Sequence, residues 1–182
     1  QVEIQSGIQF YDGMSTADIQ GILVKSASDL IDLDAPNYQY VAARLLLFGL
    51  RKNLYARIHE LPTLIDQITR GVDKKIYDAD ILKKYSAKEI ETLDNTIDHE
   101  RDYLFTYAGL RQVVDKYLVQ DRSTGEVYET PQFMYMLIAM TIFAEYPPES
   151  RLDYVTRYYN AISRHKINIP TPIMGGVRTP IR

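Results

Sequence analysis

The sequence predicts a mainly α-helical chain, and three observations carry the prediction. Apolar residues recur at three- and four-residue intervals over most of the 182 positions, the spacing that lines one face of a helix. Hydroxyl residues and prolines stand just ahead of these runs, where helix caps and first turns use them. Only one short stretch, 118–128, carries a hairpin pattern instead.

The first clear helix opens at Ser15-Thr16-Ala17-Asp18, and Ile19, Ile22, Leu23, Ala27, Leu30 and Ile31 follow at helical spacing. Pro36 opens a second helix through Leu54, with Tyr40, Ala43, Leu47, Leu50 and Leu54 on one face. A third begins near Pro62 and carries Leu64, Ile65 and Ile68. Gly71 to Asp78 reads as a connection, and two charged helical pieces follow. The second starts with Ser86-Ala87-Lys88-Glu89, the form of a capping box. Tyr103 to Tyr117 is expected to be one helix.

Leu118-Val119-Gln120 and Glu126-Val127-Tyr128 then flank a loop in which Gly125 supplies a left-handed position, a small hairpin. Thr130 caps and Pro131 starts a helix to about Ala144 that is apolar nearly all round, so it should be the most buried. Pro147-Pro148 interrupts the chain, and a last helix spans about 149–164. Ile167-Asn168-Ile169 is strand-like.

The terminal stretch 170–182 is the most constrained in the sequence. Pro170, Pro172 and Pro180 fix their own φ and push the residues before them towards extended backbone. Gly175-Gly176 permit a left-handed turn or a close approach. With apolar Ile173, Met174 and Val177 alongside, the stretch reads either as an extended segment lying inside something or as an ordered surface arm.

The totals narrow the function classes. Twenty-one Lys and Arg against 24 Asp and Glu give a net charge of −3, with no local basic stripe, which argues against nucleic-acid binding. There is no cysteine, so this chain itself can form no disulfide or zinc–thiolate site and perform no thiol chemistry. No apolar run approaches the roughly 18 residues needed to span a bilayer, and the N-terminus lacks the pattern of a signal peptide. A cytoplasmic location is expected.

Catalytic signals are sparse. His59, His99 and His165 stand far apart, with no metal-binding pair among them. Asp98-His99-Glu100-Arg101-Asp102 reads as a solvated, partly ion-paired helix face, because consecutive helical residues point in different directions. No Walker loop or Gly-x-Gly-x-x-Gly is present. Lys52, next to Arg51, either holds a phosphate or favours a helix C-terminus. Thr16 is either a cap or an anion contact. The tyrosines, spaced among aliphatic residues, read as core anchors with a polar tip.

Several motifs in order resemble a known family. Pro170-Thr171-Pro172-Ile173-Met174-Gly175-Gly176-Val177-Arg178-Thr179-Pro180 resembles the segment entering the catalytic barrel of class I ribonucleotide reductase large subunits, of the enteric and phage type. Ala35 to Arg44, His99-Glu100-Arg101-Asp102, Lys116 to Val119 with Thr124 to Glu129, and Arg157-Tyr158-Tyr159 are similar in the same order. The resemblance covers essentially the whole chain. It implies the later part of an ATP-cone at 1–56, a helical domain at 57–166, and a barrel-entry strand and turn at 167–182, with the barrel itself absent.

By resemblance, Thr171 is a substrate-binding residue, and Thr16 and Lys52 are effector residues for ATP or dATP. Gln20 and Gly49 stand where members with dATP feedback commonly have histidines. No catalytic and no metal-binding residue is implied on this chain, and no cofactor is held by it. The family's Arg-Gln-Phe-Ser-Ser-Cys would continue beyond Arg182, so the chain is expected to be a split or truncated piece, inactive alone. Its implied partners are the cysteine-bearing remainder on a second polypeptide, a small subunit with a dinuclear metal radical cofactor, thioredoxin or glutaredoxin, and nucleoside diphosphates. The alternative function is a non-catalytic module that binds nucleotide or a partner for regulation.

Overall fold

A computed structural model describes residues 1–56 and 60–180. His59, and Ile181 and Arg182 at the end of the terminal stretch, lie outside the described residues. Ten α-helices are present among those described: α1 (Val2–Gly7), α2 (Thr16–Asp29), α3 (Tyr38–Tyr55), α4 (Leu64–Asp73), α5 (Asp80–Lys84), α6 (Ala87–Asp94), α7 (Tyr107–Lys116), α8 (Pro131–Ile142), α9 (Pro148–Ser163) and α10 (Thr171–Gly176). A 3₁₀ helix, His99–Leu104, precedes α7.

The helix starts follow their side chains. Ser15 accepts from the Asp18 amide at 3.1 Å and caps α2. Thr63 does the same for α4, and Ser86 with Glu89 closes the capping box of α6. Glu89 also receives the Arg151 fork, with Nε at 2.8 Å and Nη2 at 2.7 Å, so one carboxylate both caps α6 and ties it to α9.

The core is arranged around α8, whose residues Phe133 to Met140 are all buried. Burying each large apolar side chain contributes roughly 1.5–3 kcal/mol relative to exposure, so this helix is the largest single source of apolar burial. α9 packs along α8, α4 against α6, and α3 against both α2 and α7. α2 and α3 form an antiparallel pair, in which Gln20 near the start of α2 donates to the Leu45 carbonyl of α3 at 2.6 Å.

Several of the polar side chains inside are partnered through tyrosines and glutamines. Tyr159 donates to Gln132 at 2.8 Å, Gln132 donates to Asp102 at 2.9 Å, and Asp102 pairs with Arg51 at 3.1 Å. Tyr85 reaches the Met140 carbonyl at 2.7 Å. The tyrosines at 77, 85, 135 and 159 are core residues, as their spacing predicts.

The structure corrects five expectations. The predicted helix 103–117 is two elements, because Thr106 adopts extended backbone and its hydroxyl caps α7 at the Gly109 amide. The hairpin is reduced to one isolated bridge, Gln120 to Val127, with Gly125 at φ +76° in the turn. One bridged residue on each side is too few to build a ladder.

Thr130 stands at the N-cap of α8, but its hydroxyl is buried and makes no cap hydrogen bond. The Asp98–Asp102 run is not a solvated face: Arg101 and Asp102 are buried, because a 3₁₀ turn against α3 and α9 directs them inward.

The fifth correction concerns the terminal stretch, where no strand forms among residues 167–180 and residues 171–176 are α10. Pro172 sits in its first turn, where a missing N–H costs no intrahelical bond. Gly175 and Gly176 keep negative φ, so they serve as helical residues here and make no left-handed turn.

Candidate functional site

Thr171 is the first residue of α10 and is exposed. Its Oγ1 lies 3.3 Å from the phenolic oxygen of Tyr117, which follows the last turn of α7. Two helices far apart in sequence thus present their hydroxyls to each other at the surface.

Arg178 fixes that juxtaposition from beneath. Its Nη1 donates to the Met174 carbonyl of α10 at 2.6 Å, and its Nη2 donates to the Tyr117 carbonyl at 2.8 Å. The guanidinium also faces Glu129, with Nε 3.1 Å from both carboxylate oxygens. Arg178 is 2% exposed and Glu129 is fully buried. An ion pair so placed is tolerable only because its remaining valences are filled. Glu129 accepts from Tyr77 at 2.8 Å and from the Val119 amide at 2.8 Å, while the Arg178 carbonyl accepts from the Asp78 amide. Burial, and then the Glu129 charge, push the Tyr77 phenol well up, so it stays a neutral donor.

Beside this anchor lies a cleft of about 480 Å³ with a mixed polar and apolar lining, which includes Phe105, Tyr117, Tyr135, His165, Asn168 and Met174. Burial holds the His165 imidazole below its ordinary pKa, so it favours the neutral form. Thr171 stands outside the lining of this cleft.

The second predicted site falls on α2 and α3. Ser15 supplies the cap of α2, which leaves Thr16 exposed at the first helical position with no capping duty. Lys52 is exposed in the last turn of α3. Gln20 packs on Gly49, and a Cβ at position 49 would meet the Gln20 Cγ at 3.0 Å. Thr16 stands one turn before Gln20 and Lys52 three residues after Gly49, so the antiparallel pairing puts both at the same end of the α2–α3 hairpin.

Sequence reasoning missed a cleft of about 840 Å³, which runs between α2, α3, α4, α7 and the 124–128 turn. Gln20 and Gly49 line it, with Lys25, Arg70, Lys74 and Arg111 around the rim, whereas Thr16 and Lys52 do not. Most of this charge is balanced: Lys25 pairs with Asp29 at 2.7 Å, Arg111 with Asp115 at 3.0 Å and Lys74 with Glu126 at 3.5 Å. The one signal in the sequence was the Tyr107, Arg111, Val114 spacing on α7, a single helix face. Among the described residues no group of three or more His, Asp or Glu is placed to hold a metal ion, and no helix is long and apolar enough to cross a membrane.

Among the described residues the architecture is mainly helical, with segment 170–180 pinned into the core by the buried Arg178–Glu129 pair. Residues 103–182 match the family model described as ribonucleotide reductase, all-alpha domain. Over its 182 residues the chain is 52% identical to ribonucleoside-diphosphate reductase 1 subunit alpha of Escherichia coli strain K12, covering all of this chain and 24% of that protein. The subunit alpha of Enterobacteria phage T4 is 48% identical over 99% of this chain and 24% of its own length, and that of Helicobacter pylori 31% identical over 98% and 22%. Along its whole length the chain is thus similar to one part of ribonucleotide reductase large subunits. It spans about a quarter of the length of these curated relatives.

Proposed function

We propose that this chain contributes to the reduction of ribonucleoside diphosphates to deoxyribonucleotides for DNA synthesis, as the N-terminal part of a reductase large subunit. The observation that carries the reading is the identity of 52% along the whole chain to a ribonucleoside-diphosphate reductase subunit alpha. The 182 residues contain no cysteine, so the thiol steps of such a reaction fall to the cysteine-bearing remainder of the subunit. In this reading residues 1–56 are the later part of an ATP-cone, 57–166 the helical domain, and 167–182 the passage to the barrel. The protein works in the cytoplasm with a small subunit holding the dinuclear metal radical cofactor, and thioredoxin or glutaredoxin returns the electrons.

Within that assembly Thr171 touches the nucleotide substrate. Its exposure on a helix anchored by Arg178 supports the assignment, because a contact residue must be both reachable and held. Thr16 and Lys52 meet the phosphates of ATP or dATP, and their shared end of the α2–α3 hairpin supports that pairing.

The test combines this chain with the cysteine-bearing remainder and the small subunit and measures nucleoside-diphosphate reduction. Activity is expected only from the full combination, and Thr171→Val is expected to raise KM. Failure of the chain to copurify with the remainder would sink the assembly, and an unchanged KM would remove Thr171 from the site.

A further inference from the structure

We propose that Tyr117 is a second substrate-contacting residue, its phenol and the Thr171 hydroxyl together holding one oxygen of the nucleoside diphosphate, with Arg178 as the residue that positions both. The proposal rests on the reading of Thr171 as a substrate contact.

The two oxygens are 3.3 Å apart and exposed, and either can donate to the other. That separation is longer than an ordinary O–H···O bond, about 2.7–2.8 Å, so the tie between them is weak. Two donors so spaced can converge on a third oxygen at normal hydrogen-bond distance from each. A ligand oxygen with free lone pairs, phosphoryl or ribose, therefore replaces one poor bond by two good ones.

The relative pose of the pair is fixed by a single side chain. Arg178 donates at once to the Tyr117 carbonyl on one helix and to the Met174 carbonyl on the other, at 2.8 Å and 2.6 Å. Its remaining edge is engaged by Glu129, which Tyr77 and the Val119 amide hold in turn. The guanidinium is out of solvent and its charge is already paired, so it cannot itself bind the substrate. Its planar fork serves as a spacer between α7 and α10, a geometry that a lysine ammonium does not reproduce.

The competing explanation is an inter-helix tie with no ligand role. The two differ in what the removal of one oxygen changes. A tie affects only melting temperature, whereas a contact affects KM more than kcat.

The experiment compares Tyr117→Phe, Thr171→Val and the double variant in the complete large subunit containing this chain, assayed with the small subunit. Each single change is expected to raise KM roughly 2- to 12-fold, the loss of one neutral hydrogen bond. The double variant is expected to be less impaired than the product of the singles, since both donors serve one oxygen. Arg178→Lys is expected to raise KM and to show faster amide exchange across residues 170–177, while Arg178→Lys with both hydroxyls removed shows no further rise in KM. A normal KM in Tyr117→Phe beside a raised one in Thr171→Val overturns the proposal and leaves Thr171 in the site. Normal KM in both, with melting temperature lowered, overturns the proposal and the Thr171 reading together.

Discussion

The Arg178 guanidinium and the Glu129 carboxylate meet in the interior, Nε 3.1 Å from each oxygen, although 49 positions separate them in the chain. Through this pair the terminal helix is joined to the network under α4 and α8. Tyr77 links Glu129 to Gln67, and Gln67 reaches the Tyr128 carbonyl at 2.9 Å. Replacing Arg178 by Met leaves a buried carboxylate without its counter-charge. The expected loss is roughly 3–5 kcal/mol in urea unfolding. Changing Glu129 to Leu in the same chain should recover much of it, since the stranded charge is then gone.

Gly71 is the second sensitive point. The chain folds back on it, with the Ile76 and Tyr77 amides both donating to its carbonyl at 2.8 and 3.2 Å. A methyl at position 71 would overlap the Tyr77 ring. Gly71→Ala is expected to destabilise by roughly 1–3 kcal/mol or more, because Tyr77 cannot retreat without leaving Glu129. Gly175→Ala is the control: nothing lies within 4 Å of its added methyl. In a helix that change should be neutral or stabilise by roughly 0.5–1 kcal/mol. Thermal melts of the two variants check the contrast.

His99 and Asp102 have opposite pH responses in one window. Burial, and then the Arg51 charge, push the His99 imidazole down to about 4 from its ordinary 6.5, against a smaller pull from Asp98. The unfolded chain therefore binds the extra proton between those values, and acidification through them costs stability. Burial pushes Asp102 up to about 6 from its ordinary 3.8, despite hydrogen bonds from Gln132 and Arg51. There the folded state keeps the extra proton, so its contribution is present below the ordinary value and lost as pH rises through about 6. The two nearly cancel between pH 4 and 6. Asp102→Asn removes one side of the balance. Its stability, relative to the unaltered chain, should fall as pH drops from 6.5 to 4, because the proton that the buried Asp102 carboxyl takes up is no longer there to offset His99. Urea midpoints across that range decide it.

The effector proposal makes a separate prediction. ATP or dATP titrated into the chain should bind more weakly to Lys52→Ala by roughly tenfold or more, the loss of a charge-assisted contact to phosphate. Equal affinity in calorimetry would remove Lys52 from the effector site.

Local chemistry was legible from the residues alone. Ser15 and Ser86 start their helices, a helix opens just after Pro62, Gly125 turns with positive φ, and α8 is buried all round. The errors share a cause. In 99–117, Thr106 had a choice between helix interior and cap, and packing against α3 favoured the cap. In 170–176, the prolines were equally compatible with extended backbone and with a helical first turn, and the contact with α8 selected the turn.

The sequence by itself determined the helix caps, the apolar faces and the order of motifs that the family shares, because each depends on neighbours within about one or two helical turns. The tertiary structure alone decided that Arg178 seeks Glu129, that Tyr117 meets Thr171, and that Gln20 seats on Gly49 beside the large cleft. These contacts join residues 29 to 54 positions apart. Their geometry is set by how whole helices pack, and a linear pattern of residue types does not encode it.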